Sequence, residues 1–161
     1  MTGLDRLRRF LDEHDVAYEL RVHPVAFTAQ ELASAEHGPG AVVAKVVIAF
    51  VEDEMVMLVL SATRSVDLWA FGVLVGGRPF RIAHEEEFTP RFPDCDAGAM
   101  PPFGNLYDVP VYVDDGLMAH DRVVFQAGTH DRTIDLAVAD FRRLVAPVVA
   151  SFSVSTDPRD G

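Results

Sequence analysis

A single cysteine, Cys95, stands in the 161 residues, so no disulfide can form within the chain. Nor does any apolar run approach the roughly 20 residues a membrane helix needs, since even Ala41–Val51 is interrupted by Lys45. The opening Met-Thr-Gly-Leu-Asp-Arg-Leu-Arg-Arg-Phe mixes charged with apolar residues and lacks the apolar core of a secretion signal. With only one cysteine, this leads us to expect a cytoplasmic protein and no membrane partner. Basic residues are also scarce. Fourteen Lys and Arg face 25 Asp and Glu, a formal net charge of −11. That balance excludes extended gripping of a phosphate backbone and leaves room for a small contact at one end of a nucleic acid.

Several chemical signatures are missing. The six histidines and the cysteine show no zinc-site spacing, and their nearest approach to one is the scatter His84, Cys95, His120. No metal is expected. Cys95 lies between Asp94 and Asp96, whose charges raise a thiol's pKa and blunt it as a nucleophile. There is no Gly-x-Ser-x-Gly elbow for a serine hydrolase, and no Walker A or dinucleotide fingerprint, so no cofactor is expected. Glu85-Glu86-Glu87 reads as a solvated helix start and Asp114-Asp115-Gly116 as a turn only.

What is present describes a packed domain. Hydrophobic residues make up 49% of the chain, enough for a real core in one domain. Helical spacing of Leu4, Leu7, Phe10 and Leu11 predicts a helix over 3–14. A strand over 17–22 ends at His23-Pro24. Thr28 and Glu31 form a capping box for a helix to about Glu36. Residues 41–51 and 55–60 read as a hairpin around Glu52-Asp53-Glu54. A helix capped by Ser65 is expected over 65–75, a short acidic helix over 84–92, and a strand over 109–113. A second hairpin, 123–127 with 133–138, flanks Gly128-Thr129-His130; a helix over 140–149 and a loose polar tail from Ser153 to Gly161 complete the chain. The result is an α/β chain of the α+β type, with most strands paired by hairpins rather than βαβ crossovers.

Three features carry chemistry. Gly98-Ala-Met-Pro-Pro-Phe-Gly104 sets two prolines between glycines, giving a rigid loop whose remaining amides can stabilise negative charge on a reacting carbonyl oxygen. Gly128-Thr-His130 presents a histidine on a tight turn between strands. Lys45 sits in a strand apolar on both faces, sharing its side with Val43, Val47, Ala49 and Val51. A lysine there either lines a polar pocket or carries its ammonium to an edge along its own stem. We read the loop and the turn as two lips of one pocket with Lys45 as its floor.

In their order along the chain these features resemble the YbaK/prolyl-tRNA-synthetase-associated editing-domain family. The matching run is His23-Pro24, Thr28 and its helix, Ala44-Lys45, Gly98-Ala-Met-Pro-Pro-Phe-Gly104, and Ala127-Gly128-Thr129-His130 with Ile134, covering about residues 4–150. The resemblance implies one domain, 1–152, on a mixed, barrel-like β-sheet surrounded by helices. It implies hydrolysis of the ester of misacylated tRNA, with the tRNA acceptor end and an aminoacyl-tRNA synthetase as partners and without metal or covalent nucleophile. By resemblance, Lys45 holds the 3′-terminal adenosine or its phosphate. The amides of Gly98, Ala99 and their neighbours polarise the ester carbonyl. Gly128 and His130 shape the aminoacyl pocket or position water, and His23, Thr28, Met100, Pro101, Phe103 and Thr129 line the substrate pocket with Gly128. Family members acting on cysteinyl-tRNA follow the lysine with Thr and those acting on alanyl-tRNA with Asn, whereas here Val46 follows. The loop through Asn105-Leu-Tyr107 and the turn from Phe125-Gln126 resemble instead the free-standing branch that removes serine or threonine. Two other readings stand beside this one: a hydrolase of small esters or acyl adenylates, favoured by the −11 charge, and a non-catalytic module binding an aminoacyl group or a synthetase.

Overall fold

The computed structural model describes residues 1–23 and 40–156. The Thr28–Glu31 capping box, its helix and the last residues of the tail lie outside them. Helix α1 (Gly3–Glu13) starts on a capping box of Thr2 and Asp5 and buries Leu7 and Leu11 completely. Strand β1 (Tyr18–Val22) follows it. The long hairpin β2 (Ala41–Val51) and β3 (Glu54–Ser61) turns tightly at Glu52, which takes a positive φ of 56°.

The next stretch departs from expectation. Ser65 is not a helix cap but part of a short strand, β4 (Arg64–Val66). The cap of α2 (Leu68–Leu74) is Asp67, whose carboxylate accepts from the Ala70 amide at 3.0 Å. Strand β5 (Phe80–Ile82) and the short helix α3 (Glu85–Phe88) come next, then β6 (Val111–Asp114) and the hairpin β7 (Arg122–Gln126) with β8 (Arg132–Ala137). Helix α4 (Val138–Val145) ends earlier than its apolar run suggested. Ala146 adopts the left-handed conformation (φ 50°), Pro147 follows, and Val148–Ala150 become strand β9. The reading of a loose tail from Ser153 also differs at its first residues, because Ser153–Ser155 form β10, antiparallel to β4.

Eight strands build one mixed sheet in the order β1-β8-β7-β2-β3-β6-β9, with β5 added to the far end of β2. It is barrel-like only loosely, since β1 and β9 remain separate edges. Crossovers matter more than expected: β2 with β7, β3 with β6 and β6 with β9 are all parallel. One face of the sheet, with α1 and α4, encloses the main core around Leu7, Val42, Met57, Phe103, Phe125, Ile134 and Phe141. A second core joins the opposite face of β2 and β3 to Phe71 of α2 and Phe152. Asp114 is no mere turn residue. It is 3% exposed and accepts from the Phe152 amide (2.9 Å) and the Ser153 hydroxyl (2.8 Å), anchoring the final strand.

Candidate active site

Strand β2 changes neighbours halfway along. Residues 41–43 pair with β7 and residues 49–51 with β5, and the Ala83 amide donates to Ile48 O at 2.9 Å. Between these two ladders β2 swings away from β7, and Lys45 lies in that interval. It is the only lysine in the chain. It is half-buried, shares its face with Val43, which packs on Ala62 and Val124, and has no ion-pair partner among the described residues. Burial alone holds its amine below the usual 10.5. The strand pattern left a choice between a pocket lysine and one carried to an edge. A partly desolvated, uncompensated ammonium beside a gap in the sheet is what an anionic or strongly dipolar ligand would meet.

The proline loop and the histidine turn are stitched together. The Gly128 amide donates to Ala99 O (2.8 Å) and the Asp96 amide to Gly128 O (2.8 Å). His130 Nε2 lies 2.9 Å from Ala97 O, and since a carbonyl only accepts, Nε2 carries the proton. In the neutral ring, Nδ1 then keeps its lone pair for a water or a substrate donor. Gly98 has φ +82°, and a β-carbon on it would stand 3.7 Å from His130 Cε1, so loop and histidine are in direct proximity.

The structure gives each of these residues its own surroundings. Ala99 is fully buried and its amide is spent on Asp96 O at 3.0 Å, which removes it as a donor to substrate. The amides of Gly98 and Met100 make no hydrogen bond to another described residue, and they are the donors left at this bend. Phe103 has no exposed surface; its ring centroid lies 5.6 Å from those of both Phe125 (tilted) and Phe141 (edge-on), so it fixes the loop to the core. Met100 and Pro101 are likewise buried. Gly128 has a packing reason of its own, because at φ +95° a β-carbon would come within 3.0 Å of the Leu4 amide nitrogen at the start of α1. Thr129 Oγ1 is buried and makes no hydrogen bond of good geometry. Its hydroxyl nevertheless lies close enough to help, with Arg132, hold the Asp131 carboxyl below its usual range. Thr28 is outside the described residues.

His23 ends β1 with its amide donating to Asp131 O (2.8 Å) and its Nε2 2.8 Å from the Thr133 hydroxyl. This contact brings in residues that motif reading passed over. Thr133 and Asp135 are both nearly inaccessible and alternate along β8 with apolar Ile134 and Leu136. Asp135 receives Arg122 (2.7 Å) and Arg21 (3.2 Å). The polar alternation within an otherwise apolar strand was the available signal.

Behind the loop, Asp94 accepts from Arg6 Nε (2.7 Å) and from the Tyr107 hydroxyl (2.9 Å), tying α1 to the loop. Burial, together with Asp94, pushes the Cys95 thiol up to about 11, so it is an inert structural thiol. Among the described residues no group of three or more His, Cys, Asp or Glu is placed to hold a metal ion, and no helix is long and apolar enough to cross a membrane.

Mixed sheet, stitched loop and turn, and a lone lysine between the two ladders of β2 define an α+β domain. The same fold is seen in a crystal structure solved as a candidate trans-editing enzyme for prolyl tRNA synthetase (TM-score 0.78, 23% identity, 96% of this chain and 99% of that one). It is seen again in a scaffold protein used for computational epitope grafting (TM-score 0.79, 22% identity, 95% and 98% covered). The aminoacyl-tRNA editing domain model matches residues 23–144, and the chain belongs to that family. A curated relative, the multifunctional Ser/Thr-tRNA deacylase ProXp-y of Escherichia coli (strain K12), is 29% identical over 101 residues, 62% of this chain. The match spans 60% of that relative's length.

Proposed function

We propose that this protein is an aminoacyl-tRNA deacylase acting in trans on misacylated tRNA in the cytoplasm, with residues 1–152 as the editing domain. The observation that carries the reading is the stitched loop and turn, where the Gly98 and Met100 amides make no hydrogen bond to another described residue and Gly98 lies beside the His130 ring. Family membership and the deacylase relative support it. Water adds to the ester carbonyl carbon while the two amides stabilise the charge growing on its oxygen. The C–O bond to the ribose then breaks, and the ribose oxygen leaves with a proton. Lys45 holds the 3′-terminal adenosine or its phosphate, and His130 Nδ1 orients the attacking water. An aminoacyl ester is already activated, so positioning and charge stabilisation by fixed dipoles suffice; each such donor is worth about 10²–10³ in rate.

The acidic charge of −11 restricts the contact to the acceptor end and makes a small-ester hydrolase the reading to test beside it. Deacylation of tRNAs mischarged with serine, threonine, alanine or cysteine, run with Lys45→Ala in parallel, decides. Loss of ester with wild type and not with the variant supports the proposal and names the amino acid. No hydrolysis of any tRNA by folded protein overturns it in favour of a small ester or a non-catalytic module, with a synthetase as the partner to examine.

A further inference from the structure

Three large apolar side chains that the fold leaves exposed, Leu68, Trp69 and Val73, sit together on the short helix α2. Trp69, the only tryptophan of the chain, is 79% exposed and Val73 61%, while Phe71 and Val75 on the inner side are buried in the second core. Positions 69, 72, 73 and 76 follow one another along one side of a helix. That side is bulky at its start and empty at its end. Gly76 and Gly77 close the helix with positive φ, and a β-carbon on either would meet no atom within 4 Å. Trp69, Val73, the two glycines and Phe80 line one open cleft. Ile82, also exposed, lies on the same side of β5 as Phe80. Charge is graded along the helix in the same way. Asp67 caps its start, and exposed Arg78, which no carboxylate among the described residues holds, follows its end. Asp67 is also the only one of the 25 acidic residues to fall between Glu54 and Glu85.

A two-fold axis needs a surface whose two halves complement each other, and this one has them. Laid antiparallel on a second copy, α2 brings Trp69 over the two glycines of the other helix. The same arrangement sets Asp67 beside the arginine that follows the other copy's helix. We propose that the chain forms a homodimer in which two copies meet antiparallel through the outer face of α2. Weighted by exposure, Leu68, Trp69, Val73 and Ile82 leave on the order of 500 Å² of apolar surface open, the upper end of what a monomer shows. With the exposed run 76–79 around them, the face reaches roughly the 800 Å² that each partner of a stable dimer covers. Electrostatics selects the same face. Two chains of net charge −11 repel each other, and they approach at least cost where carboxylates are fewest.

Sedimentation equilibrium of the full chain, from low to high micromolar concentration, tests this with Trp69 as its own fluorescent reporter. Expected is a monomer–dimer equilibrium in which the dimer fraction rises together with a blue shift of the tryptophan emission. Val73→Glu, at an exposed position, keeps the reporter and should raise the dimer Kd about thirtyfold or more, the size of an interface hot spot. Val73 lies midway between Trp69 and the glycines, next to the axis. Val73→Cys should therefore cross-link the two copies under a mild thiol oxidant, whereas wild type, with Cys95 alone, should not. A chain that stays monomeric at every concentration overturns the proposal. A dimer that Val73→Glu leaves intact, or that Val73→Cys fails to cross-link, is formed elsewhere and overturns it as well. A blue shift that appears only on adding RNA, at unchanged protein mass, does the same and assigns the face to nucleic acid.

Discussion

At the scale of single residues, Gly98 and Gly128 separate two reasons for a glycine with positive φ. A β-carbon has room at Gly98, where its nearest neighbour would be His130 Cε1 at 3.7 Å, so Gly98→Ala costs mainly the backbone conformation, about 1–2 kcal/mol. At Gly128 the same strain is joined by a clash with the backbone of Gly3 and Leu4. Thermal unfolding should therefore show Gly98→Ala lower by roughly 2–8 °C and Gly128→Ala lower by clearly more. Gly98→Ala should also slow single-turnover deacylation by about tenfold or more, because the strained φ rotates the free amides away from the carbonyl. A wild-type rate in that variant would remove this bend as the charge-stabilising element.

Lys45 gives a pH signature at the same scale. Burial lowers its pKa in the folded protein, so the ammonium is lost at a lower pH than the 10.5 of an exposed lysine. The unfolded chain keeps that proton longer, so this group makes stability rise, not fall, as pH climbs from the lowered value towards 10.5. Activity moves oppositely, since binding needs the charge. The alkaline limb of kcat/KM should fall below pH 10.5, and Lys45→Arg, charged throughout this range, should carry the limb upward even where it lowers the maximum. A limb that Lys45→Arg leaves in place belongs to another group.

Elements tell a different story about what the chain discloses in advance. The β2–β3 hairpin is legible because two long β-branched runs meet at a two-residue turn. The β7–β8 hairpin is legible because the Gly128 turn interrupts one. Strands β5, β9 and β10 have three residues each and no local period. They exist because Val51, Tyr112 and Val66 supply partners from distant parts of the chain. At Ser-Val-Asp, two residues could cap α2; Ser65 is drawn into pairing with Val154, which leaves Asp67 to do it. In the candidate site, glycine and proline made the rigid loop and the turn legible, whereas the His23–Thr133 contact and the ion pairs of Asp135 depend on strand registers no motif encodes. Asp114 belongs to this scale as well. Asp114→Ala would leave the buried Phe152 amide unpaired and free β10, a loss of about 1–3 kcal/mol that should lower the unfolding midpoint. Amide exchange should quicken at Phe152 while the β2–β3 ladder stays protected; uniform loss of protection would mean that Asp114 supports the whole domain.

For the whole molecule, the decisive quantity is charge. A chain with 14 basic and 25 acidic residues cannot hold a long stretch of tRNA by counterion release. Half of its cations are already paired with carboxylates: Arg21 and Arg122 with Asp135, Arg6 with Asp94, Arg9 with Glu13, Arg81 with Glu87, Arg132 with Asp131 and Arg143 with Asp140. Lys45 is one of the few cations that no carboxylate among the described residues holds, with Arg8, Arg64, Arg78, Arg91 and Arg142. If the protein grips only the terminal single-stranded nucleotides, two or three phosphates are neutralised. At about 0.7 per phosphate, log Kd against log salt should then rise with a slope of only 1.4–2. Lys45→Ala should reduce that slope by nearly one unit, since it removes one of very few contributing charges. A slope above about 5, or one indifferent to Lys45, would mean that a larger basic surface binds the tRNA body, and the acceptor-end geometry would have to be abandoned.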